Sequence, residues 1–321
     1  MKAVVCTKYG NPEYLKIVDI AKPKPKENQI LVKIHATSVT SGDARIRRAD
    51  PFIIRLIFGC KRPRKSVLGV VVAGEVESVG SNVSKFKVGD KVFGTSGMSW
   101  GAHAEYQCID ENGTLSQMPE DTTYNEAAAI PFGGTAALHF LKKGNVEAGQ
   151  KVLIYGASGA IGTLAIQLAK ERGAEVTAVC SSKNAELVKS LGTDQVIDYT
   201  QEDFTNNGIQ YDVIFDTVGK SSFAAGLKCL TKNGKMLLAS ASVGLMLRGV
   251  FTSMLGSKKV ISGVIKESAE DMQYFKKLME ENKLKAVVDE VYSLDKIREA
   301  HTHVDGGHKR GNVIIAMNHV S

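Results

Sequence analysis

The chain has 321 residues, with 41 Lys+Arg against 34 Asp+Glu for a formal charge of +7, and with 43% hydrophobic and 23% charged side chains. Those fractions belong to a folded globular protein and exclude a disordered or collagen-like chain, while the length fits about two domains, each able to bury its own core. The five cysteines, Cys6, Cys60, Cys108, Cys180 and Cys229, are odd in number and form no C-x-x-C pair, which argues against a disulfide framework or a thiolate zinc site and for a reducing compartment.

The opening run 1–10 lacks a long apolar core and a small-residue cleavage site, so it reads as a first strand rather than a secretion signal. No run of about 18 apolar residues is present to span a membrane, and a cytoplasmic protein is the expectation. From 1 to 122 short β-rich runs alternate with Gly, Asn, Asp and Pro. Strands are predicted at 3–7, 29–36, 69–79, 90–93 and 102–109, as a compact all-β region.

Within that region the stretch 45–65 carries Arg45, Arg47, Arg48, Arg55, Lys61, Arg62, Arg64 and Lys65 against Asp50 alone, an excess equal to that of the whole chain. It encloses an apolar run, 51–58, that is too short to cross a bilayer. One reading is a buried apolar turn flanked by solvated charges; another is a patch for an anionic ligand or an anionic membrane. Nucleic acid is disfavoured, because no aromatic residues alternate with the basic ones and no nucleic-acid module is present.

An Ala-rich helix predicted at 126–140 changes the rhythm, and strands then alternate with helices. Strand 151–155 precedes helix 161–172, closed by Gly173; strand 175–180 precedes helix 185–191, closed by Gly192. Strands 195–198 and 211–216, helix 222–230 and strand 235–240 follow. Helices stopped by Gly and followed by β-branched runs mark βαβ units in a parallel, doubly wound sheet. Strand 260–265, helix 269–281, strand 286–292, helix 294–303 and strand 312–317 complete an α/β chain. His301 and His303, two apart on the last helix, lie on different faces and read as surface residues.

The first βα turn carries the chemistry. It reads Lys151-Val-Leu-Ile-Tyr-Gly156-Ala-Ser-Gly159-Ala-Ile-Gly162 and runs straight into an amphipathic helix. Gly156 suits the tight turn, Gly159 lets backbone N–H groups approach a pyrophosphate, and Gly162 permits close helix-on-strand packing. Between a buried strand and a helix, this triplet is a dinucleotide-binding signal. An NAD enzyme places Asp or Glu about 20 residues on, at the end of the second strand, to hold the ribose. Here that end reads Cys180-Ser181-Ser182-Lys183-Asn184, with no carboxylate before Glu186. Two hydroxyls and an ammonium suit a 2′-phosphate, which favours NADPH.

Taken together, several segments resemble the medium-chain dehydrogenase/reductase superfamily in its zinc-independent quinone oxidoreductase branch. They include 32–43, Gly69-Val-Val-Val-Ala-Gly74-Glu-Val-Glu-Ser-Val-Gly80, Val88-Gly-Asp-Lys-Val-Phe93, Gly101-Ala-His-Ala-Glu105-Tyr, Ala128-Ala-Ile-Pro131-Phe-Gly-Gly-Thr135-Ala, Asp216-Thr-Val-Gly219 and Gly307-His-Lys-Arg-Gly311-Asn. The resemblance covers essentially the whole chain. It implies a GroES-like catalytic domain at 1–122 and 261–321, a Rossmann NADP-binding domain at 123–260, and a homodimer paired through the strand at 260–265. It also implies cofactor contacts from Ser158, Ala160 and Ile161 within the glycine turn, and from Thr135, Tyr199, Thr217, Val218, Ser240 and Lys309.

Departures from the family pattern shape the expected chemistry. The positions that ligate catalytic zinc in the alcohol dehydrogenases of the superfamily are here Thr40, Val70 and the stretch 132–134, and 94–103 contains no Cys. None of these is a zinc donor set, so no metal is expected. Relatives carry a Tyr in an Asp-x-Tyr-Ile-Arg run; this chain has Asp43-Ala44-Arg45-Ile46-Arg47, which points to solvent protonation or to charge stabilisation by Arg45. Thr40 and Asp43 are the other pocket candidates, each with a turn-capping alternative.

The leading expectation is hydride transfer from NADPH to a quinone or an α,β-unsaturated carbonyl, both of which accept hydride without a metal. An enoyl-thioester reductase and a low-turnover NADPH-sensing, membrane-peripheral scaffold are the rivals. Peripheral membrane contact is implied by two apolar segments bearing basic residues: 52–58, and the run holding Leu245, Met246, Leu247, Val250, Phe251, Met254 and Leu255.

Overall fold

Runs of β-branched residues, separated by Gly, Pro and Asx turns, set the order of elements. The computed structural model describes residues 1–319. The first part of the chain holds β1 (Lys2–Cys6), β2 (Leu15–Asp19), β3 (Gln29–Val39), α1 (Ser41–Arg48), α2 (Ile54–Phe58), β4 (Val71–Val79), β5 (Lys91–Thr95), β6 (Tyr106–Asp110), β7 (Thr114–Gln117), α3 (Tyr124–Ala128) and α4 (Pro131–Lys143). The middle holds β8 (Lys151–Tyr155), α5 (Ala160–Glu171), β9 (Glu175–Cys180), α6 (Ala185–Ser190), β10 (Gln195–Asp198), β11 (Tyr211–Asp216), α7 (Phe223–Lys228), β12 (Leu230–Leu238), α8 (Val243–Leu255) and β13 (Lys259–Ser262). The end holds α9 (Ala269–Glu280), β14 (Val288–Ser293), α10 (Ile297–Asp305) and β15 (Asn312–Ala316).

Two compact units result. The first comprises Met1–Phe132, Glu267–Glu280 and the chain from Ala286; the second comprises Gly133–Lys266 and Glu281–Lys285. In the first, β3 is the spine. It pairs antiparallel with β4 along one edge, and on the other with β6 at its start and β15 at its end. Two register shifts against β4 bend it, as bulges do, and the complete path is β14-β15-β3-β4-β5-β7. Val32, Ile34, Val72, Val76, Val92, Val313 and Ile315 fill the core behind this sheet and are fully buried.

Expected and observed elements differ where one residue overrides a pattern. The single helix expected at 126–140 is two, because Pro131 has no N–H to continue α3 and instead occupies the first position of α4. α1, α2, α8, β2 and β7 were not predicted. α8 is apolar along its length, so it offers no helical period to read; Ser242 Oγ caps it by accepting from Leu245 N–H at 3.3 Å. His301 corrects the surface reading, since it is fully buried. It shares the inward face of α10 with Ile297, Ala300 and Val304, as the three- and four-residue spacing dictates.

One residue of the basic stretch, Arg47, departs from the reading of solvated charges. Arg47 is fully buried; its guanidinium pairs with Asp305, donates to Gly10 O, and donates from Nε to His301 Nδ1 at 3.3 Å. Of the two readings of the apolar turn, the buried one does not hold for Phe52, Ile53, Leu56 and Ile57, which are exposed.

In the second unit six strands run parallel in the order β10-β9-β8-β11-β12-β13. Numbered within the unit, this is the 3-2-1-4-5-6 order of a doubly wound nucleotide-binding sheet, whose strand order reverses between β8 and β11. Ligands of such sheets bind outside the carboxyl ends of the strands at that reversal.

Candidate active site

At the reversal point β8 ends in Tyr155 and the chain turns at Gly156, whose φ of +79° lies in the left-handed region open to glycine. A Cβ on Gly156 would meet Thr217 Oγ1 and Val218 Cγ1 at 2.7 Å, which seats the loop after β11 directly over the turn. Thr217 Oγ1 fixes that seat by donating to Tyr155 O at 2.9 Å. A Cβ on Gly162 would stand 2.3 Å from Gly156 O, so only glycine allows α5 to pack this closely. Gly159 differs: a Cβ there would meet nothing nearer than Gly156 O at 3.5 Å. α5 starts directly after Gly159 with no side-chain cap, so its first-turn N–H groups, with the positive end of the helix dipole, are presented as an anion site.

Asp216 organises the opposite lip. Its buried carboxylate accepts from Val218 N–H at 3.0 Å, Gly219 N–H at 2.7 Å, Ser221 N–H at 2.9 Å and Ser221 Oγ at 2.6 Å. Ser240, just after β12, lies against Gly219, where a Cβ would meet Ser240 Oγ at 3.1 Å. Thr135 is buried on α4, two residues after Gly133, whose Cβ position abuts Ala160 O at 2.3 Å.

β9 delivers Ser181, Ser182 and Lys183 to the same edge of the sheet, Lys183 being exposed. Asn184 joins this end to the glycine turn, and sequence reasoning missed it. Its buried amide donates to Ser158 Oγ at 3.0 Å and to Ser181 Oγ at 3.4 Å. Its Oδ1 has no partner among the described residues. The available signal was an Asn closing the turn between strand and helix. Tyr199 follows β10, half exposed. Beside it the Asp198 carboxyl is held below the usual carboxylate range by hydrogen bonds from Thr200 and Ser182.

These elements gather Gly156, Ser158, Gly159, Ala160, Ile161, Gly162, Ser181, Ser182, Thr217, Val218 and Ser240 at the carboxyl ends of adjacent strands. The observed features that fit a dinucleotide are the cradle a Cβ on Gly159 would enter and the orphaned, buried Asn184 oxygen. Lys309, the other expected cofactor contact, belongs to the first unit. There its ammonium donates to Gly311 O at 2.6 Å, and desolvation pushes it down to about 8 against the opposing pull of Asp289.

The catalytic candidates of the first unit, Thr40, Asp43 and Arg45, lie at and just after the start of α1. Thr40 is the N-cap of α1 and Asp43 is its third residue, and the two form a capping box. Asp43 Oδ2 accepts from Thr40 N–H at 2.8 Å and from Thr40 Oγ1 at 2.6 Å, while Oδ1 accepts from Gly69 N–H at 3.1 Å. Both side chains are buried. Their hydrogen bonds fix the start of α1 and tie it to Gly69, which is the turn-capping alternative. Arg45 is exposed on α1.

A family model described as an alcohol dehydrogenase GroES-like domain matches residues 26–120, and one described as a zinc-binding dehydrogenase matches residues 191–315. The residues do not fit zinc: Thr40 and Val70 are not donors of the required kind, and among the described residues no group of three His, Cys, Asp or Glu is placed to hold a metal. The chain is 32% identical over 320 residues to a chloroplast envelope quinone oxidoreductase homolog of Arabidopsis thaliana, covering 95% of each. It is 29% identical to an NADPH-dependent alkenal/one oxidoreductase of the same plant, covering 98% of this chain and 79% of the relative. The solved quinone oxidoreductase of Coxiella burnetii superposes with a TM-score of 0.90 at 30% identity, covering 99% of both chains. Glycine turn, strand order and these matches agree, and the chain belongs to the quinone oxidoreductase branch of the medium-chain dehydrogenase/reductase superfamily.

Proposed function

We propose that this chain is an NADPH-dependent oxidoreductase that passes hydride to a quinone or an α,β-unsaturated carbonyl without a metal. The observation that carries the reading is the cradle at the carboxyl ends of β8 and β9. An uncapped helix start faces the open Gly159, and the adjoining strand end offers Ser181, Ser182 and Lys183 with no carboxylate before Glu186. When bound, NADPH supplies the hydride. The first turn of α5 would hold its pyrophosphate, and Lys183 would pair with its 2′-phosphate. Thr217, Val218 and Ser240, fixed by Asp216 and Gly219, would bound the nicotinamide half. Quinones and enones accept hydride without a metal to polarise their oxygen, which suits a chain lacking the zinc donors.

Replacing Lys183 by alanine is expected to weaken NADPH about ten- to a hundredfold, the worth of one charge-assisted phosphate contact, and to leave NADH nearly unchanged. Fluorescence titration with each cofactor reads this out; equal losses for both would remove Lys183 from the phosphate site.

A cytoplasmic setting belongs to the same reading, supported by five free thiols, and no helix among the described residues is long and apolar enough to cross a membrane. So does the division of labour between a β-rich substrate domain and a Rossmann cofactor domain. A homodimer is the remaining partner. Its support is that β13 forms an open edge of the parallel sheet, a surface that pairing protects. Ser253 Oγ already accepts from Val260 N–H on that strand at 2.8 Å, so pairing would have to use the rest of the edge. Sedimentation that returns only monomer at micromolar concentration contradicts the dimer.

A further inference from the structure

The proposed redox chemistry leaves the segment 50–65 without a role, although it is built with care. α2 is apolar on both sides. Ile54 and Phe58, one turn apart, face inward against the core of the first unit, with Phe58 edge-on to Trp100 at 5.9 Å between ring centroids. Tyr9 donates its hydroxyl proton to Gly59 O at 2.8 Å, and Arg64 N–H donates to Phe58 O at 2.7 Å. Arg55 lies over the Tyr9 and Phe52 rings, 5.2 and 5.4 Å from their centroids. The segment is therefore anchored in one conformation.

Its outer side is not satisfied by the fold. Phe52, Ile53, Leu56 and Ile57 are 70, 49, 68 and 60% exposed, and Met98, whose carbonyl accepts from Lys65, is 66% exposed. Contiguous apolar exposure of this kind marks a contact surface. Around it stand the exposed cations Arg48, Lys61, Arg62, Arg64 and Lys65, with Asp50 as the acid of the segment. Charge decides what covers it. A second copy would bring an identical cationic rim against this one, whereas a bilayer with anionic headgroups offers both halves of the complement. Its acyl boundary takes the apolar side chains and its phosphates take the cations.

We propose that residues 50–65 dock the protein peripherally on an anionic lipid surface, with α2 lying at the boundary between headgroups and acyl chains. This stands apart from the redox reading, since none of its residues belongs to the cofactor cradle. The test is co-sedimentation of the full chain with vesicles of phosphatidylcholine alone or with about one third phosphatidylserine, at about 0.05 and 0.5 M salt. Binding is expected to the anionic vesicles at low salt, about tenfold or more tighter than to the neutral ones, and to fall by a similar factor at high salt. The variants F52S/L56S/I57S and K61E/R62E should each lose about tenfold or more while keeping their thermal midpoint and NADPH affinity. Failure of the wild type to sediment with anionic vesicles at low salt overturns the proposal, as does undiminished binding by the apolar variant. A dimer that the apolar variant converts to monomer would assign the surface to a second copy instead.

Discussion

Replacing Arg47 by alanine is expected to cost about 2–5 kcal/mol, from the cavity left by a fully buried side chain and the hydrogen bonds it loses. The guanidinium has no exposed surface and ties three parts of the first unit together: α1, the Gly10 turn, and Asp305 at the end of α10. Removing it strands His301 Nδ1 as a buried acceptor and takes the donor from the half-buried Gly10 O, and the lost volume adds a cavity. Arg47→Met, which keeps the volume, should cost less, because Asp305 is partly exposed and retains Arg48 as a partner. Urea unfolding followed at Trp100, in the same unit, measures both. A loss below about 1 kcal/mol for Arg47→Ala would mean that the pair contributes nothing net. The same cluster sets a pH dependence. Burial, with His103, Arg47 and Arg48 nearby, holds His301 well below its ordinary 6.5, so the folded state keeps it neutral. The unfolded chain binds a proton near that ordinary value. Stability from this residue is therefore complete above about pH 6.5 and is lost as pH falls below it. Burial and His319 shift His35 in the same direction. The urea midpoint should drop between pH 7.5 and 5.5.

Gly159→Ala and Gly162→Ala are expected to separate ligand binding from folding. At Gly162 an added methyl meets Gly156 O at 2.3 Å and Ala157 backbone atoms at 2.7 Å. α5 must then move off the turn, so both stability and NADPH affinity should fall, the first by about 1–3 kcal/mol of overpacking. At Gly159 the methyl makes one ordinary contact at 3.5 Å, and the residue's φ of −82° is open to alanine. That variant should melt like the wild type, yet weaken NADPH about tenfold or more, because the methyl occupies the approach to the helix N-terminus. Undiminished binding by Gly159→Ala would reduce the glycine turn to packing alone.

Much of this was legible in the chain. The β-branched runs at β9, β10 and β11, each bounded by Gly or an acidic turn, place those strands to the residue, and the glycine spacing locates the cradle. The capping box at α1 was written as Thr40-x-x-Asp43, a local signature, yet in isolation it reads equally as chemistry. What could not be read is tertiary. Arg47 and His301 are ordinary surface residue types until α1 packs against α10, 254 positions away in sequence. Asn184 becomes a strut only when β8 and β9 lie side by side. The outward face of α2 resembles a core segment in sequence, because apolar composition does not say which side is covered.

Turnover by the purified protein tests the proposed activity most directly. In the presence of a metal chelator, NADPH should be consumed with quinones and α,β-unsaturated ketones or aldehydes, and kcat/KM should exceed that with NADH by about tenfold or more, following the phosphate contact at Lys183. Loss of activity on chelation would contradict the metal-free mechanism. Consumption with enoyl thioesters alone, or with none of these acceptors, would contradict the assignment as a quinone or enone reductase.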